Sequence, residues 1–185
     1  MYHIKNDKRA RASTELICAG LLACMKEKPF TRITITDVQR ASTVSRSTFY
    51  RNFDCLEDVL ALLCDRGFQA VFTEYNALPP AQRGNLPKAV FHYWFHNSAV
   101  LEALVQIHRT DILFDSLRRS SGLIEALQPL GDDPARFDYF VAIITSSMIG
   151  VLTVWVEHGK TETEDQMVQK LTSAFIEMAI LELPG

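Results

Sequence analysis

Catalytic chemistry is what this sequence is short of. It holds no glycine-rich phosphate loop, no nucleophile elbow and no plausible Ser-His-Asp triad, so the usual routes to nucleotide handling and acyl transfer are missing. Four cysteines, Cys18, Cys24, Cys55 and Cys64, match neither the paired CxxC spacing of a zinc site nor the dense framework of a small secreted domain. They read as reduced, mostly buried thiols. The opening MYHIKNDKRARAS is charged where a signal peptide needs an apolar stretch, and no uninterrupted apolar run approaches the roughly 18 residues of a membrane span. The expected location is the cytoplasm. Internal repeats and low-complexity tracts are also absent. Apolar residues, in contrast, are plentiful. At 48% of 185 residues they suffice for a proper core, in one domain or in a small module fused to a larger one.

The net charge of −3 conceals an asymmetry. Residues 1–53 carry ten Lys and Arg against four Asp and Glu, giving +6, while residues 54–185 carry nine against eighteen, giving −9. Two parts of opposite sign point to a first part that meets a polyanion and a second with another task.

Almost every segment has helical periodicity, and the expected fold class is all-α. From about Asp7 to Lys28, Leu16, Cys18, Ala19, Leu22, Ala23 and Met25 recur near the 3.6-residue period, with Pro29 beyond the end. Thr34 followed by Asp37 suits a capping box for a second helix, with Thr36 and Gln39 as a competing start, and Ile35, Val38 and Ala41 would face inward from either. After the break Ser42-Thr43-Val44, Ser45 is placed to cap a third helix running to about Asn52. Three helices with a tight turn between the second and third make a helix-turn-helix unit. In SRSTFYRNF, residues 45–53, Phe49 and Phe53 lie four apart and face the core with Val44. Arg46, Ser47, Thr48, Tyr50, Arg51 and Asn52 are left mostly outward. Arginine and asparagine pair bidentately with base edges, hydroxyls reach phosphates, and a helix N-terminus adds its own N–H groups. Together with Thr34 and Thr36 on the preceding helix, these form the candidate DNA-binding set.

The stretch ITITDVQRASTVSRSTFYRNFDCLEDVL resembles the DNA-binding signature of the TetR family of transcriptional regulators. The likeness spans roughly residues 10–62, about a third of the chain, and its TFYRNF core is nearest to the branch resembling the dihydroxyacetone kinase operon activator. It departs from the family pattern at Gln39, where a small residue is usual, at Thr43, where glycine is usual, and at Leu56, where lysine is common. The resemblance implies a DNA-binding domain over 1–53, a helical effector-binding and dimerisation domain over 54–185, and a regulator that is not an enzyme. Such a protein is a homodimer on double-stranded DNA, most simply a repressor released from a palindromic operator by a small effector. The alternatives are an activator or co-regulator whose second part binds a protein, or a helical metal- or cofactor-binding protein with a basic N-terminal part.

Beyond Asp54 the expected helices run from about Cys55 to Ala77, Leu86 to His96, Ala99 to Arg109, Asp111 to Leu127, Pro134 to His158 and Thr163 to Leu183, with LPPAQRGNLP as a linker. In the last two, Ile143, Ile144, Ser147, Gly150, Val151 and Val154, and Met167, Leu171, Ala174, Phe175, Met178 and Leu181, form faces of helical spacing. The family resemblance implies that these helices pair with their copies, making Ser147, Gly150, Val151, Val154, Leu171, Phe175 and Met178 the candidate dimer interface. It also implies an effector pocket, for which Phe72, Tyr75, His92, Trp94, His96, His108 and Trp155 are candidates and an apolar or aromatic ligand is expected. His92 and His96 have the i, i+4 spacing of two metal-binding imidazoles, but no acidic residue stands between them as HExxH requires. They read as packing or ligand-facing side chains, and neither a metal nor a cofactor is expected.

Overall fold

A computed structural model of the chain describes residues 2–4, 7–127 and 133–181, without the side chains of 134, 135 and 181. Among the described residues there are ten α-helices and no strand: α1 Lys8–Glu27, α2 Ile35–Ser42, α3 Arg46–Asn52, α4 Leu56–Ala77, α5 Leu86–His96, α6 Ser98–Gln106, α7 Thr110–Arg119, α8 Ser121–Leu127, α9 Pro134–Glu157 and α10 Glu164–Leu181. The expected extension of the last helix to Leu183 lies outside the described residues.

Local capping explains where the first helices begin. The Asp7 carboxylate accepts from Ala10 N–H at 2.8 Å. Of the two starts open for α2, Thr34 is the one used: its hydroxyl accepts from Asp37 N–H at 3.2 Å while the Asp37 carboxylate accepts from Thr34 N–H at 2.8 Å, a complete capping box. Lys28, just past α1, reaches the same carboxylate at 2.7 Å and fastens the end of one helix to the start of the next. That contact, with the Thr34 bonds, holds the Asp37 carboxyl well below the usual carboxylate range.

The inward face of α1 differs from the expected one. Ile17, Leu21 and Cys24 are buried beside the expected Cys18, the expected Leu22 and Met25 are half-buried against the core, and the expected Leu16, Ala19 and Ala23 are exposed. Gly20 sets this rotation, because a Cβ there would stand 2.9 Å from Ser42 Cβ and 3.1 Å from both Ser42 N and Val38 O. The backbone of α2 thus crosses directly over this glycine. On α2 the inward residues are Val38 and Ser42, while the expected Ala41 is exposed.

One continuous apolar core runs from α1 through α4 to α9 and α10, containing Leu21, Phe49, Phe53, Phe68, Phe91, Trp94, Leu104, Leu152 and Met167. The expected single helix Asp111–Leu127 is two, broken at the extended Ser120. Gly122 explains the break, since a Cβ there would fall 2.3 Å from Phe72 Cβ, and only a glycine lets α8 lie so close to α4. Helix α6 also ends earlier than expected. His108 adopts left-handed φ of 55°, and Arg109 N–H reaches back to Leu104 O at 2.9 Å, the closure of a Schellman-type terminus.

Candidate nucleic-acid interface

Helix α3 is seven residues long and held by its rings. The Ser45 hydroxyl accepts from Thr48 N–H at 3.3 Å, and Phe49 and Phe53 are fully buried with ring centroids 5.8 Å apart. With those two rings inside, the opposite face is fixed outward. Arg46, Ser47, Tyr50 and Arg51 are exposed and Thr48 is half-buried. Arg46 donates to Tyr50 Oη at 3.3 Å and its guanidinium stands 5.4 Å from the tyrosine ring centroid, so the two side chains form one amphipathic unit on the helix surface. Thr34 and Thr36 are also exposed, though the Thr34 hydroxyl is engaged with Asp37.

Asn52 is a correction to the expected outward set. It is only 1% exposed, and its side-chain amide donates to Thr48 O at 2.9 Å and to Ser13 Oγ at 3.5 Å. It ties α3 to α1 and presents no amide to a groove. Beside it a recess of about 690 Å³, lined by Asp7, Lys8, Arg9, Ser13, Thr48 and Arg51 among others, joins the N-terminal end of α1 to the outward face of α3. Cationic side chains and N-terminal N–H groups on one surface suit phosphate oxygens. The turn between α2 and α3 carries strain: Thr43 has φ 58° and ψ 16°, in the left-handed region that a β-branched residue rarely enters.

Contacts from the basic part run into the rest of the chain through α4. Arg66 forms an ion pair with Glu15 at 2.5 Å, joining α4 to α1. Tyr2 donates to the Asp65 carboxylate at 2.5 Å, and burial together with that carboxylate pushes its phenol up to about 12. Asp65 also accepts from Ser116 Oγ and stands 3.7 Å from Arg119, so one carboxylate gathers the N-terminal segment, α4 and α7. It opens onto a groove of about 670 Å³ between α4, α7 and α8, lined by Gln69, Thr73, Asn76, Ser116, Arg119 and Ser121 among others. The Asn76 amide donates to Gly122 O at 2.9 Å, while its carbonyl oxygen is buried without a hydrogen-bond partner among the described residues. Neither Asp65 nor Arg119 was marked by any sequence signal, because partners 51 or more residues apart form no motif.

The seven candidate effector residues do not converge on one cavity. Phe72 and Trp94 are core side chains, 1% exposed each, and Phe72 touches the α4–α7 groove from beneath. Trp155 is buried, stacks on Phe95 at 5.4 Å and donates to Glu162 O at 3.1 Å. Tyr75, His92 and His96 line a separate recess of about 520 Å³ with Glu164, and His108 is exposed at the end of α6.

The seven candidate dimer residues do share one surface. All of them line an apolar groove of about 330 Å³ between α9 and α10. Around it, Ile143, Val154, Ile176, Met178 and Ile180 are between 46% and 61% exposed. By length and composition, residues 136–157 of α9 could cross a membrane, but one side of this helix is already buried in the core through Val141, Thr145, Met148, Leu152 and Trp155. The other side is an exposed apolar stripe of the kind that marks an interaction site.

No family model and no curated protein matches the sequence. Solved structures do. A TetR transcriptional regulator from Streptococcus agalactiae superposes with a TM-score of 0.60 at 18% identity, covering 91% of this chain and 96% of that one. The chain has the fold of the TetR regulators. Lin0861 from Listeria innocua superposes with a TM-score of 0.71 at 17% identity over 95% of this chain and 96% of its own. A Syntrophomonas wolfei protein described as a TetR-family regulator gives 0.65 at 18% over 94% and 97%. The TetR-type architecture thus extends over nearly the whole chain, well beyond the third that carries the sequence signature.

Proposed function

We propose that this protein is a transcriptional regulator of the TetR type, a homodimer that binds a palindromic site in duplex DNA and is released by an effector. The carrying observation is the outward face of α3, where Arg46, Ser47, Tyr50 and Arg51 project from a helix held by Phe49 and Phe53. The +6 balance of residues 1–53 supports the same reading. A single recognition helix reads only a few base pairs, and a two-fold dimer doubles the site. The apolar stripe along α9 and α10 is the surface on which the copies would meet. For the effector, the groove at Asp65 and Arg119 is the better candidate, because it lies against α4, which leads back to the basic part through Arg66 and Tyr2. Its lining favours a ligand with hydrogen-bonding groups over the apolar or aromatic one expected from the ring content. Coupling of about 1–3 kcal/mol through α4 would change DNA affinity roughly 5- to 150-fold.

The test is selection of duplex fragments from a random pool on the purified protein, followed by anisotropy titrations at several salt concentrations. One enriched palindrome is expected, bound with an affinity that falls steeply with salt. Arg51→Ala should weaken binding and, if the guanidinium meets a phosphate, lower the salt slope by about 1. Equal affinity for every duplex, or none for any, rejects the proposal.

A further inference from the structure

We infer that His92, His96 and Glu164 form a site for a divalent transition-metal ion of the zinc type, joining the end of α5 to the start of α10. The two imidazoles are one helical turn apart with ring centroids 4.6 Å from each other, and a ligand atom from each of the three side chains lies within 4.8 Å of the others. Glu164 Oε2 is 2.9 Å from His92 Nδ1, and Glu164 Oε1 is 3.9 Å from His96 Nδ1. The His92–Glu164 contact is close to the separation of two ligands on a metal bound at roughly 2 Å, and rotation of the neighbouring His96 ring completes the set.

The His96 ring and the backbone that carries Glu164 are already held. His96 Nδ1 stands 2.9 Å from His92 O. Donation to that carbonyl leaves Nε2 as the free lone pair, the arrangement in which a second bond fixes the tautomer of a metal-binding histidine. Glu164 is the first residue of α10, directly after a reciprocal cap in which Gln166 N–H donates to Thr163 Oγ1 at 3.3 Å and Thr163 N–H donates to Gln166 Oε1 at 2.8 Å. Its side chain is 20% exposed, whereas the imidazoles are 65% and 57% exposed and open to solvent for metal entry. Two imidazoles and one carboxylate leave a fourth position for water. This donor set suits zinc, cobalt or nickel and not magnesium or calcium, which take oxygen ligands. The acidic partner missing between the two histidines in sequence is supplied by a helix 68 residues further along the chain than His96. The inference stands whether or not the protein binds DNA.

Full-length protein, stripped with chelator, is titrated with zinc by calorimetry and with cobalt by visible absorption. The expected result is one ion per chain, with the visible bands of four-coordinate cobalt and no thiolate charge-transfer band. His96→Ala and Glu164→Gln should each weaken binding at least ~10-fold while circular dichroism shows an unchanged helical content, and His158→Ala should bind like the parent. In thermal melts, zinc should raise the midpoint of the parent and not of the His92→Ala/His96→Ala double variant. Absence of stoichiometric uptake by the parent, or binding by the double variant as tight as the parent's, overturns the site.

Discussion

Gly150 offers the sharpest test of the dimer surface. It lies inside α9, where glycine is worth about 0.8–1.0 kcal/mol less than alanine in a helix, and nothing stands within 4 Å of where its Cβ would be. For an isolated chain, Gly150→Ala should therefore be stabilising by about 1 kcal/mol, which for a protein of this size raises the melting midpoint by roughly 2–4 °C. A copy packed against the groove between α9 and α10 reverses the sign for association. The added methyl then enters a filled seam twice, once from each protomer, and overpacking costs about 1–3 kcal/mol per site. A combined loss of about 2 kcal/mol or more weakens the dimer at least roughly 30-fold. Sedimentation velocity over a concentration series measures the association, and a melt at a concentration where the variant is monomeric measures the chain. If Gly150→Ala melts higher and self-associates as tightly as the parent, the seam does not pass over this glycine and the proposed interface is wrong.

Other perturbations probe the basic part. Gly20→Ala should destabilise the packing of α1 on α2 by about 1–3 kcal/mol, since its Cβ meets backbone atoms of Ser42 and Val38 that cannot rotate away; an unchanged denaturant midpoint would contradict this. Thr43→Gly should stabilise by a few tenths to about 1 kcal/mol, because relief of left-handed strain of about 1–2 kcal/mol exceeds the greater unfolded-state freedom of glycine, and a lowered midpoint would refute it. Asp37→Asn should lower stability at neutral pH, because the carboxyl is held below its ordinary range by Lys28 and Thr34. A group with a depressed folded pKa contributes fully above the unfolded value and loses its contribution as pH falls through the folded one. The gap between Asp37→Asn and the parent should thus close in acid, and a gap that widens there would show that the carboxylate is not the cause.

The sequence by itself determined most of what is local. Helix starts at Asp7, Thr34 and Ser45 follow from side chains that bond N–H groups three residues on, and such contacts are readable because their partners are neighbours in the chain. The outward set of α3 follows from the spacing of Phe49 and Phe53, and the apolar faces of α9 and α10 follow from helical period. Where periodicity failed, a close approach between distant segments had intervened. Gly20 against Ser42 turned α1 by a residue, Gly122 against Phe72 broke one expected helix into two, and Ser13 with Thr48 drew Asn52 inward. Sites assembled across helices were invisible for the same reason. Asp65 meets Ser116 and Tyr2, and Glu164 meets His92 and His96, only after the helices are stacked. Side chains such as these carry no mark of their eventual partner, because the distance between them is set by the packing of the core and not by any interaction along the chain.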